Sequence, residues 1–416
     1  MRTIASIDIG TDKIVALIGE VDSYGDIHVI GVGESKSRGI DRGSITKLEV
    51  ASRAIATAVR EAEEMSGQKV SHVIINVSGP TVKSQNEKDT INISPSPVEV
   101  EAEHIRRLVE RSLARGKEDG YDIVHAIPRK YMLDDQEGIE DPVGLVGSKL
   151  TAQVHLVKVG TTVSRNVEKA VMSAGFQPSM RVVNAIASAK AVLEEEEKDD
   201  GILLIDMGAS LTDFVLYLEG HPVITGCIPL AGNSITKDIS HLMKVDQDSA
   251  ERIKVEEGVA LVNLVKEGET LKVKPRGEER DISIEKAKLA EIIQVRLEEI
   301  VEKIIESIEE AGYRLDSANA GIVITGGSAN LKGIKDFLEK FTDMPARVGK
   351  PKGLIGLKEK IEDAKYATAV GLLKFGVSQE GVSADTGVQL AERNPNGKGL
   401  IASYVEKFKR WLEEIL

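Results

Sequence analysis

Two hairpins are predicted by apolar runs that small and polar residues interrupt. The first run covers Ile4 to Ile9, the turn Gly10-Thr11-Asp12 follows, and a second apolar run covers Ile14 to Ile18. A similar cycle returns in the second half of the chain, with runs over 201–205 and 213–218 around a turn at 206–210. The acidic stretch Glu194 to Asp200 is predicted as the linker before it. The two cycles indicate an internal duplication.

Amphipathic helices are predicted after the hairpins, because apolar residues recur at steps of three and four over Leu48 to Met65 and over Ile284 to Ala311. Strands and helices that alternate in two halves favour a mixed α/β fold. Two stretches are predicted as insertions into this fold. Residues 84–163 carry strands and a helix, and residues 230–298 are rich in Lys and Glu.

The last eighteen residues, 399–416, predict one more amphipathic helix, preceded by a flexible linker over 378–398 that is rich in Ser, Gly, Asp, Asn and Pro. Its apolar positions are Leu400, Ile401, Tyr404, Val405, Phe408, Trp411, Leu412 and Ile415. This wide aromatic face predicts a reversible membrane anchor worth several kcal/mol. Packing of the helix on its own lobe, or dimerisation through it, is the alternative.

Composition and charge narrow the class of protein. The chain has 416 residues, 41% of them hydrophobic and 29% charged, which predicts an ordinary globular protein and excludes disorder. Its net charge of −13 makes nucleic acid an unexpected partner. Cys227 is the single cysteine, and the start of the sequence does not have the pattern of a signal peptide. We therefore expect a cytosolic protein without membrane spans.

The two hairpin turns carry candidate phosphate-binding chemistry. In each, an acid closes a buried strand, Asp8 in the first copy and Asp206 in the second, and a small-residue turn exposes backbone N–H groups. Either acid suits a hydrated Mg²⁺, because Mg²⁺ prefers few carboxylates and several waters. One such turn alone is more often a plain hairpin. The repetition favours a phosphate clamp made by both.

Two further features are candidate parts of a nucleotide site. Gly326-Gly327-Ser328 follows an apolar strand, and glycine there lets a flat ring approach the backbone, although a tight structural turn has the same pattern. Glu251 and Lys254 lie three residues apart on a short helix, where a solvated charge pair is the plain alternative.

The order of these parts resembles the nucleotide-binding fingerprint of the actin, heat-shock chaperone and sugar kinase superfamily. The stretches Ser37 to Gly43, His125 to Tyr131 and Asp141 to Gly144 resemble the FtsA family of actin-like bacterial cell-division proteins. The resemblance implies an α/β, actin-like, two-lobed ATPase fold with a duplicated core. Its implied parts are subdomain IA (1–83, 164–198 and 365–377), IC (84–163), IIA (199–229 and 299–364), IIB (230–298), a linker (378–398) and a membrane-targeting helix (399–416).

The resemblance also implies function. FtsA-like proteins bind ATP with Mg²⁺, polymerise like actin, hold FtsZ at the cytoplasmic face of the cell membrane and recruit later division membrane proteins. It implies Mg²⁺ held through water near Asp8 and Asp206. The nucleotide-binding residues that it implies are Gly10, Thr11, Asp12, Lys13, Gly208, Ala209, Ser210, Leu211, Thr212, Gly232, Asn233, Glu251, Lys254, Gly326, Gly327 and Ser328.

The sequence departs from the family pattern at two points. Where related filament ATPases often place an acid that positions the attacking water, this chain has Asn184, which is a poor general base. Ala209, Ser210 and Leu211 stand where relatives often have glycine and threonine. We therefore expect slow or absent ATP hydrolysis, with binding retained.

The FtsZ C-terminal peptide is acidic and apolar, and the resemblance implies that it docks on the second insertion. Lys286, Lys288 and Arg296 are the candidate contacts, and a solvated helix face is the alternative because glutamates intermix. The scattered histidines form no pattern of metal ligands.

Three other members of the superfamily are alternatives. A small-molecule kinase needs a catalytic base that does not stand out here. A heat-shock chaperone needs a large substrate domain, for which the forty residues after Gly376 are too few. A pilus-assembly scaffold shares the fold but does not use its own terminal amphipathic helix.

Overall fold

The structure is a computed structural model that describes residues 2–278 and 280–377. The elements of its first half are strands β1 Arg2–Ile9, β2 Lys13–Val21, β3 Ile27–Lys36, β4 Ile40–Asp41, β5 Ser44–Ile45, β6 His72–Val77, β7 Lys83–Asn92, β8 Val98–Glu99, β9 Tyr121–Leu133, β10 Gln136–Ile139, β11 Val146–Gly147, β12 Lys149–Gly160 and β13 Gln177–Val183, with helices α1 Leu48–Ser66, α2 Ala102–Gly116, α3 Thr161–Ser173, α4 Asn184–Val192 and α5 Glu195–Asp200.

The elements of the second half continue the numbering in chain order. They are strands β14 Ile202–Met207, β15 Thr212–Leu218, β16 His221–Ile228, β17 Thr270–Val273, β18 Ile282–Glu285, β19 Ile322–Thr325, β20 Ala346–Val348 and β21 Ile355–Gly356, with helices α6 Gly232–Leu242, α7 Gln247–Glu257, α8 Lys286–Glu310, α9 Ile334–Thr342, α10 Lys358–Ile361 and α11 Ala367–Phe375.

Two mixed sheets repeat one topology, as the duplicated hairpins predict. The first sheet has the order β13-β6-β1-β2-β3-β21, and the second has the order β20-β19-β14-β15-β16. In each sheet an antiparallel hairpin is extended by a third antiparallel strand on one side and by two parallel strands on the other. The predicted α/β fold with a duplicated core is confirmed.

Helices α4 and α11 pack against each other where the two halves of the chain meet. Gly371 allows the contact, because a Cβ at that position would lie 1.7 Å from the carbonyl oxygen of Ala187. Both helices are almost entirely buried and apolar. Since both Asn184 and Thr368 lie at the start of these helices and face the cleft between the hairpins, this packing fixes the base of the site.

The insertion that contains β7, β9, β10 and β12 has a core of its own. These strands form a four-stranded sheet, and α2 packs on it through Leu108 and Val109 against Leu150, Val154 and Leu156. In the second half, β17 and β18 form a small hairpin before α8. The 25-residue α8 buries an apolar stripe against the second sheet, which is why its pattern was visible in the sequence.

The acidic stretch before the second hairpin is helical, and the prediction of a linker there was wrong. Glu194 and Glu197 form a capping box at the start of α5, so the backbone N–H groups of both residues are satisfied at the N-terminus of the short helix. Acidic residues in a first turn also suit the helix dipole. The predicted linker over 378–398 and the predicted amphipathic helix over 399–416 lie outside the described residues. Among the residues described, no helix is long and apolar enough to cross a membrane.

Candidate functional site

A cleft of about 950 Å³ lies between the two hairpin turns. The turn at 10–12 and the turn at 208–211 face each other across it, and Lys13 lines it beside the first turn. The start of α6, one side of α7 and the segment 326–328 complete its wall. The structure therefore brings together the features that the sequence places in four separate stretches.

Lys13 is the most unusual side chain of this cleft. Its Nζ atom is buried and has no hydrogen-bond partner among the described residues. It lies 3.6 Å from Glu34 Oε1 and 3.8 Å from the centre of the Tyr366 ring. Burial is the main cause that lowers the pKa of Lys13. The site thus holds an ammonium group that donates no hydrogen bond to the described residues.

Three carboxyl groups lie at the base of the cleft. Asp8 accepts a hydrogen bond from Asn76 Nδ2 (2.8 Å), and Asp206 accepts from Ser188 Oγ (2.5 Å) and Thr368 Oγ1 (2.9 Å). The third acid is Asp213, which is 2% exposed and accepts from Ser78 Oγ.

These three acids share one electrostatic environment. Burial, and then the charge of Asp206, raise the pKa of Asp8 to about 7 and that of Asp213 to about 7. Burial likewise raises the pKa of Asp206, against the hydrogen bonds from Ser188 and Thr368 that lower it. Burial and mutual repulsion disfavour the charged forms of these acids, and a hydrated cation in the cleft would stabilise them, as the charge of Lys13 does for Asp8.

The second hairpin turn is held by its own half of the chain. The N–H of Gly232 donates to the carbonyl of Gly208 (3.3 Å), and the N–H of Asn233 donates to that of Ala209 (2.6 Å). Ser328 Oγ donates to the carbonyl of Gly208 as well (2.9 Å). The turn, the start of α6 and the segment 326–328 therefore form one connected wall, with the N-terminus of α6 facing the cleft.

Glu251 and Lys254 are joined in a network rather than being a solvated pair. Lys254 Nζ donates to Glu251 Oε2 (2.8 Å), to Thr236 Oγ1 (2.9 Å) and to the carbonyl of Gly232 (3.1 Å). Lys254 is 13% exposed and Glu251 is 47% exposed, so the carboxylate is the more open of the two. The network ties α7 to α6 on the wall of the cleft.

The two glycines of the 326–328 segment have different surroundings. Gly326 has φ +86°, and a Cβ there would lie 2.5 Å from Asp206 Oδ1 and 2.6 Å from the carbonyl oxygen of Met207. A Cβ on Gly327 would meet no atom within 4 Å. Gly326 is therefore required by the packing of the protein, whereas Gly327 leaves an open surface that a flat ring could approach.

Thr212 does not line the cleft, which corrects its predicted role as a phosphate contact. It is fully buried in β15, and its hydroxyl donates to the carbonyl of Leu230 at 2.7 Å. The alternation of side chains along the strand explains this orientation, because Asp213, the next residue, takes the side that faces the cleft. The other predicted nucleotide residues line the cleft.

Several lining residues were missed at the sequence level. They are Asn76, Ser78, Asp213 and Thr368, which come from distant elements. Ser188 and Tyr366 do not line the cleft but contact the lining residues Asp206 and Lys13 from behind. A weak signal existed at the end of β6, where the apolar run of 73–77 contains Asn76 and ends at Ser78. Polar residues at the end of a buried strand, like Asp8, are candidate site residues.

The fit to a divalent cation is indirect. Among the described residues, no group of three or more His, Cys, Asp or Glu side chains is arranged to hold a metal ion directly. Asp8 and Asp206 are nevertheless close enough for the charge of one to raise the pKa of the other. The donor set therefore suits a cation that keeps its waters, as the sequence predicts for Mg²⁺.

The comparisons with known proteins agree with this architecture. A family model described as Cell division protein FtsA matches residues 203–371, and one described as SHS2 domain inserted in FTSA matches residues 79–158. The cell division protein FtsA of Neisseria meningitidis serogroup B is 34% identical over 412 residues, with 99% of this chain and 98% of that protein aligned. The chain belongs to the FtsA family.

Other FtsA relatives and solved structures extend this result. FtsA of Pseudomonas aeruginosa is 32% identical over 415 residues, covering 99% of this chain and 98% of the relative. The PilM-PilN type IV pilus biogenesis complex superposes with a TM-score of 0.62 at 15% identity, covering 90% of this chain and 98% of that chain.

Two further structures are MreB 5 of Spiroplasma citri bound to AMPPNP and the MamK double helical filament. Their TM-scores are 0.53 at 15% identity and 0.50 at 13% identity; they cover 90% and 91% of this chain, and 96% and 99% of their own. These likenesses show the actin-like fold. The SHS2 domain of the FtsA family overlaps the predicted insertion 84–163.

Proposed function

We propose that this FtsA-family chain binds ATP with Mg²⁺ in the cleft between its two hairpins. The observation that carries the proposal is Lys13 Nζ, a buried ammonium without a hydrogen-bond partner beside a glycine turn. An ammonium in that state gains most from an anionic oxygen. The backbone N–H groups of residues 11–12 and 209–210, in the middle of the two turns, would offer further donors to phosphates.

The remaining residues fit the other parts of a nucleotide. The open surface at Gly327 would take the base, and the exposed carboxylate of Glu251 suits ribose hydroxyls. Asp8 and Asp206 would hold the hydrated Mg²⁺, which supplies charge neutralisation for the phosphates. MreB 5, a protein of the same fold, is bound to AMPPNP in its structure, which supports this proposal.

We propose that hydrolysis in this cleft is slow. Asn184 lies at the start of α4, and its Oδ1 accepts a hydrogen bond from Asn76 Nδ2 at 3.0 Å. An amide is not a base, so it orients a water without taking its proton. Asp213 also lines the cleft, and its carboxylate accepts a hydrogen bond from Ser78.

The test of ATP binding compares two lysines that pair across neighbouring strands. Lys13 is enclosed in the cleft, whereas its register partner Lys36 lines the cleft rim and is exposed. We expect Lys13→Ala to weaken Mg-ATP binding by about tenfold or more, and Lys36→Ala by at most about twofold. Titration of a fluorescent ATP analogue measures both. Equal effects of the two variants would contradict the assignment of Lys13.

At the level of the cell, we propose that the chain polymerises like actin and tethers FtsZ filaments to the cytoplasmic face of the membrane, with later division proteins recruited to it. Its membership in a family of cell division proteins supports this, and MamK of the same fold forms a double helical filament. The proposed anchor is the helix 399–416. Many weak anchors on one polymer bind a membrane far more tightly than one does.

For the FtsZ peptide, the three predicted cations have unequal surroundings. Arg296 is bound by both oxygens of Asp238 (2.6 and 3.0 Å), and Lys286 pairs with Glu257 (2.8 Å). Lys288 is exposed on the same helix. We therefore propose that Lys288 contributes the accessible charge, and we expect Lys288→Ala to weaken binding of an acidic FtsZ tail peptide more than Lys286→Ala does.

A further inference from the structure

Lys13, Glu34 and Tyr366, which we call the lysine clasp, enclose one ammonium group at the side of the cleft. Lys13 comes from β2, Glu34 from the adjacent strand β3, and Tyr366 stands directly before α11. The Tyr366 hydroxyl donates to Glu34 Oε1, and this same oxygen lies 3.6 Å from Lys13 Nζ. The face of the Tyr366 ring covers the ammonium at 3.8 Å.

The clasp does not fully satisfy the ammonium that it encloses. A distance of 3.6 Å is too long for a hydrogen bond, and the buried Nζ has no other partner among the described residues. The ring and one carboxylate replace only part of the hydration that burial removes. Lys365 lies on the same ring, 5.0 Å from its centre, which adds a second positive charge nearby.

Lys13 and Glu34 both line the cleft, so the clasp is part of the wall that a ligand would meet. The Glu34 carboxylate and a phosphate oxygen are two anions that suit the same ammonium. Because Glu34 keeps 38% of its side chain exposed, it can turn into water when the lysine leaves it. Glu34 is therefore able to act as an exchangeable counter-ion.

We propose that the lysine clasp is a holding position, in which Glu34 competes with the phosphates of the nucleotide for Lys13 and so lowers nucleotide affinity. This inference rests on the proposed binding of ATP. The alternative is that Glu34 and Tyr366 orient Lys13 toward the phosphates and so raise nucleotide affinity. The two readings predict opposite signs for the same substitution.

The decisive variant is Glu34→Gln, which keeps the size of the side chain and its acceptor for Tyr366 but removes the competing charge. We expect Mg-ATP to bind about threefold to tenfold more tightly to this variant. Glu64→Gln is the matched control, because Glu64 is an exposed acid of α1 that does not line the cleft, and its substitution removes the same unit of charge. It should change affinity by at most about twofold.

A double-mutant cycle separates competition for Lys13 from a general effect of charge. In a Lys13→Ala background, Glu34→Gln should give no gain, because the contested ammonium is gone. A gain of the same size in both backgrounds would overturn the proposal. So would a weaker affinity of Glu34→Gln in the otherwise unchanged chain.

A second measurement needs no nucleotide. Acetic anhydride labelling followed by mass spectrometry reports how accessible each amine is, with Lys36 as the internal exposed reference. We expect Lys13 to label slowly in the unliganded chain and several times faster in Glu34→Gln. Equal labelling of Lys13 in the two proteins would overturn the clasp.

The outcomes for the two proposals are distinguishable. Failure of the wild-type chain to bind ATP would overturn the proposed function, and the holding role with it. ATP binding that Lys13→Ala weakens while Glu34→Gln leaves it unchanged or weaker would overturn the holding role alone. Circular dichroism of each variant confirms that it is folded before affinities are compared.

Discussion

The buried acid Asp213 predicts a specific pH dependence of stability. It is 2% exposed, and burial followed by the charge of Asp206 raises its pKa to about 7, compared with 3.8 for an ordinary Asp. The unfolded chain therefore releases this proton at lower pH than the folded chain does. As pH rises from about 4 to about 7, the folded state loses stability relative to the unfolded state.

Asp213→Asn removes the titrating charge and keeps the oxygen that accepts from Ser78. Well inside this window each pH unit costs the wild-type protein about 1.4 kcal/mol, so the stability gap between variant and wild type should grow by about 2 kcal/mol from pH 5 to pH 7 and then level off. The variant should be the more stable protein at pH 8.

Urea unfolding at pH 5, 6, 7 and 8 measures this gap directly. The control is Asp248→Asn, which removes a carboxylate from an exposed position and is measured at the same four pH values. The reasoning would be refuted if the gap for Asp213→Asn were the same at pH 5 and pH 8, or if the variant were less stable than wild type at pH 8.

Three further predictions concern other parts of the structure. Gly326→Ala should cost about 2 to 3 kcal/mol of stability because of its positive φ and the contact with Asp206, measured by urea unfolding. Gly327→Ala should leave stability unchanged and weaken ATP binding if the base lies against it, and an unchanged affinity would move the base elsewhere. His155 is fully buried between Asn86 and Thr225, and burial lowers its pKa to about 3. Below about pH 6.5, His155 should therefore lower the free energy of unfolding by about 1.4 kcal/mol per pH unit. The free energy of unfolding of His155→Gln should fall less steeply with decreasing pH.

Much of the fold was predictable because its signals are local. The hairpins at Gly10 and Gly208 show apolar runs broken by small residues, and α8 shows a long apolar stripe. Residues 194–200 are an exception, because their run of acids predicts a linker and the structure has a helix there. There the capping box at Glu194 and Glu197 outweighed the low apolar content.

The site was predictable only where one stretch of sequence carries both the turn and its chemistry. Asp8, Gly10 and Lys13 stand within six residues, so the pattern identifies them together. Asn76 and Thr368 reach the cleft from a strand and a helix far apart in the chain, Tyr366 packs behind Lys13, and no local spacing relates the three. The side chain of Thr212 departs from the predicted position for a different reason. Strand alternation turns it away from the cleft that its neighbours line.

Co-sedimentation with anionic liposomes tests the proposed nucleotide-linked membrane tether. The full chain and a chain that ends at Gly397 are compared with and without Mg-ATP. We expect the full chain to pellet with liposomes, ATP to increase the pelleted fraction, and the shortened chain to stay in the supernatant. Pelleting that is independent of residues 398–416, or that is absent for the full chain with ATP, would contradict it.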